Sequence, residues 1–528
     1  MTFRNIKVCM FVYNNCKHDA RVLKEAKTLT EAGYDVRIIA VLDKTTEPYE
    51  KREGFRIIRV VKNPLHYKIL KGILSSTKKF LSFLNCSISR LKRQPVKVQS
   101  VTRKAVGKLR LIFQKLNQVI KEKGLREYVR KSLKTCPGYF LSLGWALVLG
   151  YYFYKGIKKI FYWGFYYPAK CICFFFYKGI KKIFYWGFYY PAKHTYFFLY
   201  GLLRNFLMIF HRPLSFLDYY QRSFKIIEQE PADIYHAHDL NTLPIAFWAK
   251  KKLGGKLVYD SHELYTEKTG LNWLERFLAR IIERNLIGKS DRIITVNHSI
   301  AGQLEKRYNL NISAIVMNCP VAAKKNKQQH YNRKFIPVSN KFKVVIYQGG
   351  FAPGRGLFNL IKAIKLVSLS QIILVLIGWG KLESELKSFV ETDQELHDKV
   401  IFLPPVSPDK LIYVTKEAHL GVIPFRKVSL NNYYGLPNKM FEYLMAGLPV
   451  AASDFPELRK IVLGHKLGAV FNPEDPEDIA RAIDFILSNP KRYRQMKENA
   501  KKAAKIYNWE NESKKLLKVY SELTNKNL

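Results

Sequence analysis

The residues most suited to chemistry lie late in the chain, in segment 435–443, which reads GLPNKMFEY. Pro437 is well placed at the start of a helix, and Lys439 can then point at a phosphate. Glu442 lies one turn later on the same helix face, where a carboxylate can accept hydrogen bonds from both hydroxyls of a ribose. A capped amphipathic helix with an exposed glutamate remains an open alternative for this segment.

A glycine-rich segment, 348–356 (QGGFAPGRG), follows an apolar strand and opens a helix. Glycines let the backbone approach a phosphate, and a helix N-terminus favours negative charge. Arg355 can form two parallel hydrogen bonds to phosphate oxygens. A second loop at Gly378 follows another strand and can pack a base or ribose. The predicted donor-binding residues are Gly349, Gly350, Arg355, Gly356, Gly378, Asn438, Lys439 and Glu442.

Polar residues follow apolar strands in the first half of the chain as well. The predicted acceptor-side residues are Asn14, Asn15, His238, Asp239 and Glu263. The histidines at 236, 238 and 262, with the acids at 239, 260 and 263, also allow a metal cluster. Polar groups at the carboxyl ends of strands face a cleft in any case, and we predict no metal site.

Strands and helices alternate over residues 6–61 and again from residue 232 onward, a pattern typical of parallel doubly wound α/β sheets. Residues 318–342, polar and containing proline, are the best linker. We therefore predict two Rossmann-like domains facing a cleft. Residues 1–63 and 216–319 form the first, and residues 320–528 form the second, with a last helix that can cross back. Residues 64–215 are an insertion in the first domain.

Taken together, the motifs resemble those of the family 4 glycosyltransferases. The second half carries, in the family's order, G-G-x(4)-R-G at 349–356, the P-N-K-x-x-E-Y block and D-F-P-E at 454–457. The first half carries D-x-R-V at 19–22, H-A-H-D at 236–239, Y-D-S-H-E at 259–263 and I-V-M-N at 315–318. The resemblance covers the chain outside the insertion.

The resemblance implies a retaining enzyme of GT-B fold that moves a sugar from a UDP- or GDP-sugar to a hydroxyl, with no bound cofactor or metal. Glu442 matches the glutamate that holds the ribose, and Arg355 matches the residue that neutralises the diphosphate. His262 matches a histidine beside the transferred sugar, so the predicted catalytic residues are His262, Arg355 and Lys439. Two positions depart from the family pattern: Gly350 replaces an arginine, and Tyr434 replaces a second glutamate.

The net charge of +47 demands an anionic partner, and residues 64–215 hold 29 Lys and Arg but only two acids. This insertion also carries a duplication, since 153–170 and 176–193 both read FYKGIKKIFYWGFYYPAK. Lysines beside aromatic rings suit the headgroup zone of an anionic membrane. The predicted membrane residues are Lys155, Trp163, Lys178 and Trp186. Ordinary domain core and single-stranded nucleic-acid binding are the alternatives, and we predict no nucleic-acid partner.

Segment 136–154 lacks charge and has the length of a single membrane span, but a monotopic surface element is favoured. Seven scattered cysteines indicate reduced thiols in a cytosolic compartment, which predicts the cytoplasmic face of a membrane. The acceptor is then a lipid-linked or cell-surface glycan precursor. A membrane-anchored GT-B scaffold without catalysis is the alternative function.

Overall fold

The computed structural model describes residues 5–75, 82, 190–322 and 335–524. These fall into two compact units, one formed by residues 1–60 with 223–528 and the other by residues 61–222. The first unit contains two parallel-sheet lobes, and the sheet alternation predicted from the sequence is confirmed in both.

The first lobe is built on an eight-stranded sheet of order β3-β4-β2-β1-β5-β6-β7-β8. The central strand β1 pairs in parallel with β2 on one side and β5 on the other, so the strand order reverses between β1 and β5. The strands are β1 (Lys7–Phe11), β2 (Asp35–Leu42), β3 (Tyr49–Arg52), β4 (Phe55–Val61), β5 (Ile234–His238), β6 (Lys256–Ser261), β7 (Arg292–Thr295) and β8 (Ala314–Ile315). Ligands bind at such reversals, beyond the carboxyl ends of the strands.

One edge of this sheet departs from the purely parallel expectation. Strand β3 was not predicted, and it pairs with β4 in the antiparallel direction. Glu53 (φ 47°) and Gly54 (φ 90°) form the tight turn between them. Positive φ at both central residues matches the twist of a two-residue hairpin turn. The Glu-Gly pair at 53–54 is the only local sequence signal for this hairpin.

The helices of the first lobe begin at side chains that cap their free N–H groups. The Asp19 carboxylate accepts from the Val22 N–H, and Asn272 forms a capping box with Glu275. Their apolar faces cover the sheet. The helices are α1 (Ala20–Glu31), α4 (Leu243–Leu253), α5 (Trp273–Leu286) and α6 (His298–Tyr308), and α6 was not predicted.

The second lobe is a six-stranded parallel sheet of order β11-β10-β9-β12-β13-β14. Its order reverses between β9 and β12, which lie side by side. The strands are β9 (Lys343–Gln348), β10 (Ile372–Ile377), β11 (Val400–Leu403), β12 (Leu420–Ile423), β13 (Val450–Ser453) and β14 (Gly468–Phe471). Their aliphatic residues are buried on both faces, as in parallel sheets covered by helices.

Helices cover both faces of this second sheet, and several begin with proline, whose missing N–H costs nothing in the first turn. They are α7 (Leu357–Leu366), α8 (Glu383–Glu391), α9 (Gln394–Lys399), α10 (Pro408–Lys416), α11 (Leu430–Tyr433), α12 (Asn438–Ala446), α13 (Pro456–Gly464), α14 (Pro476–Leu487) and α15 (Pro490–Ile506). Helix α12 carries the GLPNKMFEY segment and packs on β12 through Tyr443.

The last helix, α16 (Trp509–Thr524), returns to the first lobe. Its apolar residues Trp509, Leu516, Val519 and Tyr520 belong to the same buried cluster as the central strands of the first sheet. The Trp509 indole N–H donates to the Thr28 hydroxyl of α1 (3.0 Å). The first lobe is therefore closed by residues from the end of the chain.

The other unit, as far as it is described, is helical. Residues 65–75 are helical, followed along the chain by α2 (Tyr190–Ile209) and by α3 (His211–Gln229), whose last residues belong to the first unit. The Asp218 carboxylate accepts a hydrogen bond from the Asn63 N–H (2.8 Å). The Nε2 atom of His66 lies 2.9 Å from the Nδ1 atom of His211, within hydrogen-bond distance.

Candidate functional site

Two cations of the second lobe meet where the strand order reverses. Lys439 on α12 is buried (8% exposed), and its Nζ lies 3.6 Å from the centroid of the Tyr347 ring. The Arg355 guanidinium lies 4.2 Å from the centroid of Phe425, the ring that Lys439 Nζ also approaches at 5.1 Å. Burial and the neighbouring Arg355 hold the pKa of Lys439 well below its usual range.

Among the described residues, neither cation has a hydrogen-bonded acid. Each is held by an aromatic ring, which attracts a cation through its face by about 0.5–2 kcal/mol and leaves its N–H groups available. The two charges therefore lie on aromatic rings, and the Glu442 carboxylate acts on Lys439 electrostatically, without a hydrogen bond. Such a pair suits a ligand that carries two adjacent negative charges, such as a diphosphate.

The glycines of the two loops bring the backbone close to these cations. Gly349 has φ 133°, and a Cβ added there would lie 3.1 Å from Lys439 Nζ. A Cβ at Gly378 would lie 2.0 Å from the Gly349 carbonyl, so the two loops touch. Gly356 precedes α7 at φ 69°, and its Cβ would lie 1.8 Å from the Pro424 carbonyl. Gly356 is thus required by close packing, independently of any ligand.

The Glu442 carboxylate is fixed from one side. Its Oε2 accepts a hydrogen bond from the Gln348 amide, and the Gln348 Oε1 accepts from the Thr415 hydroxyl (2.8 Å). Burial raises the pKa of Glu442, while the Gln348 hydrogen bond opposes that rise. Asn438, at the start of the same helix, is exposed and accepts from the Asn318 amide (3.1 Å).

In the first lobe, His262 lies at the edge of a buried charged network. Its Nε2 lies 3.1 Å from Asp260 Oδ2 and 3.1 Å from His238 Nδ1, and its side chain is 20% exposed. Burial lowers the pKa of His262, but Asp239 and Asp260 outweigh it and raise the pKa to about 9. His262 is therefore an imidazolium at neutral pH, able to donate a hydrogen bond.

The remaining acceptor-side residues divide by role. Asn14 and Asn15 follow β1, where their side chains close the local turn by accepting from the N–H groups of Cys16 and Lys17. Asp239 follows β5 with φ 64°, and its Oδ1 accepts from the His262 N–H (3.2 Å). His238 is buried. His238 and Asp239 therefore contact His262, whereas among the described residues no hydrogen bond joins the two asparagines to it.

Glu263 is engaged by the opposite lobe. Its Oε2 accepts from the Asn431 amide (2.9 Å), and the Asn431 Oδ1 accepts from the Leu264 N–H (2.9 Å). Two more hydrogen bonds cross between the lobes: Asn297 donates to the Tyr434 carbonyl (2.9 Å), and Glu457 accepts from the Ser299 N–H (2.7 Å). Tyr434 therefore contributes its backbone carbonyl to the contact between the lobes.

One cluster in the described residues has metal-ligating composition. Single ligand atoms of Glu25, His236, His238 and Asp260 lie within 4.8 Å of one another, all buried. Arg21 already supplies positive charge there, because it donates two hydrogen bonds to Asp260 (2.8 Å each) and lies 3.0 Å from Glu25. A divalent cation would have to displace this guanidinium, so the cluster fits an internal ion-pair network better than a metal site.

The predicted membrane residues Lys155, Trp163, Lys178 and Trp186 lie outside the described residues, as do the duplication and segment 136–154. Within the described ranges, no helix combines the length and apolar character required to cross a bilayer.

The structure adds site residues that sequence reasoning missed. Tyr347 and Phe425 hold the cations, and their only signal was their place near the carboxyl ends of adjacent strands. Gln348 and Thr415 had no local signal. Lys24 of α1 interacts electrostatically with Glu442 across the lobes, and burial lowers the pKa of Lys24 to about 8.

Comparison with known proteins agrees with this geometry. Residues 328–503 match the family model "Glycosyl transferases group 1", and residues 190–321 match "Glycosyltransferase Family 4". Three solved structures share the fold over nearly their whole length. Sucrose-phosphate synthase from Thermosynechococcus elongatus has a TM-score of 0.58 and 13% identity, covering 99% of this chain and 100% of its own. A glycosyltransferase from Rickettsia africae has a TM-score of 0.56 and 11% identity, covering 99% of this chain and 100% of its own. Anabaena HepE in complex with UDP and glucose has a TM-score of 0.56 and 11% identity, covering 98% of this chain and 100% of its own. The fold is GT-B, as predicted.

Relatives point to the same class of enzyme. The D-inositol 3-phosphate glycosyltransferase of Salinispora tropica is 25% identical over 313 residues, which cover 55% of this chain and 64% of the relative. An uncharacterized glycosyltransferase of Methanocaldococcus jannaschii is 26% identical over 317 residues, 59% of this chain and 82% of the relative. The matched part is thus less than two thirds of the first relative. These findings support a sugar-transferring enzyme similar to glycosyltransferase family 4.

Proposed function

We propose that the protein transfers a glycosyl group from a nucleoside diphosphate sugar to a hydroxyl of a lipid-linked or cell-surface glycan precursor, with retention of configuration. The observation that carries the proposal is the pair formed by Arg355 and Lys439, packed on aromatic rings beside Gly349 with no acid bound to either among the described residues. The UDP and glucose bound by Anabaena HepE add support for a nucleotide sugar as donor.

In the proposed reaction, the bond between the sugar C1 and the diphosphate oxygen breaks, and a new bond forms between C1 and the acceptor oxygen. The acceptor proton passes to the departing diphosphate, so no side-chain nucleophile is assigned. Arg355 and Lys439 stabilise the negative charge that develops on the leaving group. His262, an imidazolium at neutral pH, donates a hydrogen bond to the sugar, and lobe closure excludes water.

Thermal-shift titration with UDP, GDP and their sugars tests the donor site. A nucleotide at about 100 times its Kd adds about 2.7 kcal/mol of stability and raises Tm by about 5–10 °C. Arg355→Gln should weaken this shift strongly. Arg459→Gln is the matched control, because Arg459 is exposed in the same lobe and pairs with Asp454. A wild-type protein that responds to none of these ligands contradicts the proposal and favours the non-catalytic scaffold.

We also propose that the protein works at the cytoplasmic face of an anionic membrane, through the insertion. Support comes from the basic, aromatic sequence of residues 64–215 and from α2, where Phe197, Phe198, Leu202 and Ile209 are between 43% and 66% exposed. Aromatic and aliphatic groups beside lysine and arginine suit the headgroup zone of a bilayer.

Vesicle flotation tests the membrane proposal. The full chain should float with phosphatidylcholine vesicles that contain phosphatidylglycerol, less so without it, and should be released by high salt. The triple variant Phe197→Ser, Phe198→Ser and Leu202→Ser should weaken flotation. The control is the double variant Leu366→Ser and Phe485→Ser, which changes two similarly exposed residues of the second lobe. Equal flotation of both variants would contradict a role for α2, and no flotation of the wild type would contradict membrane binding.

A further inference from the structure

The Glu442 carboxylate is held by a relay of two side chains, Gln348 and Thr415. Gln348 is the last residue of β9 and is 3% exposed, and Thr415 on α10 is fully buried. The Thr415 hydroxyl donates to the Gln348 Oε1 (2.8 Å), and the Gln348 amide nitrogen donates to Glu442 Oε2. Three elements, β9, α10 and α12, therefore converge on one carboxylate oxygen.

The order of donors in this relay sets which end of the Gln348 amide faces Glu442. Because the Thr415 hydroxyl donates to the amide oxygen, the NH2 group is turned towards the carboxylate. The same hydroxyl also donates to the Leu411 carbonyl (2.7 Å), so its one proton is shared between two acceptors, and the second contact holds Thr415 in this rotamer. With the hydroxyl removed, the buried Gln348 oxygen loses its donor, so the amide and the carboxylate that it bonds are held less firmly.

The helix that carries Glu442 is anchored separately. The Tyr443 hydroxyl donates to the carbonyls of Ile346 and Val422 (3.3 Å each). The backbone of α12 is therefore fixed against β9 and β12 without the relay. What the relay adds is the orientation of the carboxylate, with one oxygen engaged; among the described residues no side chain bonds the other oxygen, Oε1.

We propose that Gln348 and Thr415 are positioning residues for ribose recognition: their relay fixes Glu442 so that Oε1 accepts the hydroxyls of the nucleotide ribose. This inference rests on the proposed function of the site. It separates the donor site into two parts, a diphosphate part formed by Arg355 and Lys439 and a ribose part that depends on residues with no ligand contact of their own.

The test compares UDP, 2′,3′-dideoxy-UDP and inorganic pyrophosphate by isothermal titration calorimetry, or the guanine pair if GDP binds better. In the wild type, the ratio of the dideoxynucleotide Kd to the nucleotide Kd measures ribose recognition. Thr415→Val, which has nearly the same shape, and Gln348→Met should each lower this ratio by about threefold to tenfold. Pyrophosphate binding should stay unchanged. Thr392→Val is the control, because its hydroxyl bonds only the Phe389 carbonyl.

A Glu442→Gln background distinguishes positioning from general damage. The ribose ratio should already be low there, and adding Thr415→Val should change it no further. The inference is overturned if Thr415→Val keeps the wild-type ratio while Glu442→Gln lowers it, or if Thr415→Val weakens pyrophosphate equally. In both cases the proposed donor site survives. A wild-type protein that binds no nucleoside diphosphate would overturn the proposed function together with this inference.

Discussion

Lys439→Met should change stability and ligand binding in opposite directions. The buried ammonium has no acid hydrogen-bonded to it among the described residues. Its surroundings are two aromatic rings, a second cation and the Glu442 carboxylate, whose attraction offsets only part of the cost of burial. Burial and the neighbouring Arg355 lower the pKa of Lys439, so the unliganded protein disfavours the charge. Methionine keeps the length of the side chain and removes that charge, so it should stabilise the unliganded protein by about 1 kcal/mol. For a lobe of this size, Tm rises by about 2–4 °C.

Binding responds in the other direction. A diphosphate that pairs with Lys439 gains charge-assisted hydrogen bonds of about 1.5–3 kcal/mol. Their loss weakens nucleoside diphosphate binding by about 10- to 150-fold. Differential scanning fluorimetry, with and without nucleotide, measures both effects in one experiment: Tm of the free protein rises, while the shift on adding ligand shrinks.

The matched control is Lys341→Met in the same lobe. Lys341 is exposed, and its Nζ lies 5.3 Å from the centroid of the Phe342 ring, so it shares the aromatic contact without the burial. Neither Tm nor ligand shift should change in this variant. A Lys439→Met protein that binds nucleotide as tightly as the wild type would refute the assigned role. A fall in Tm of several degrees would refute the argument from burial.

Three further outcomes follow from the buried network and the contacts between lobes. Arg21→Met leaves the Asp260 and Glu25 carboxylates buried without their cation, so the free energy of unfolding measured in urea should fall by about 3–5 kcal/mol. Adding Asp260→Asn should recover part of this loss, and no recovery would contradict the pairing. Asn431→Ala removes two hydrogen bonds between lobes and should enlarge the radius of gyration in X-ray scattering, whereas unchanged scattering would count against the contact. The pKa of His262 is raised to about 9 in the folded protein, so its protonation adds about 3 kcal/mol to the free energy of unfolding below pH 6.5, and this contribution is lost as pH rises through 9. In His262→Gln, the free energy of unfolding measured in urea should therefore vary less between pH 6 and 10.

Much of the fold was readable from local pattern. The alternation of apolar strands with helices predicted two parallel doubly wound lobes, and their strand order reverses at β1 and β9, where ligand sites are expected. The hairpin of β3 and β4 was missed because its pattern is short and polar, with the YEKR strand half exposed. Helix α6 was also missed, although the Asn297 side chain caps it by accepting from the Ile300 N–H.

The candidate site divides in the same way. Arg355, Lys439 and Glu442 were named from glycine-rich loops and helix spacing, and the structure places both cations on the Phe425 ring. Their roles, like that of His262, stay predictions. The hydrogen-bonded pairings that orient them had no local signal, since Thr415 lies 67 positions from Gln348 and Asp260 lies 239 positions from Arg21.

By itself, then, the sequence determined which segments form strands and helices, where glycine permits a close approach, and which residue types can meet a diphosphate. These properties depend on neighbours within a few positions, because backbone conformation and side-chain periodicity are local. Only the tertiary structure decided which buried polar groups share a hydrogen bond, which lobe α16 completes, and that Glu263 and Asn431 bind across the two lobes. Those choices belong to packing, where each buried donor must find an acceptor among residues far away in the chain.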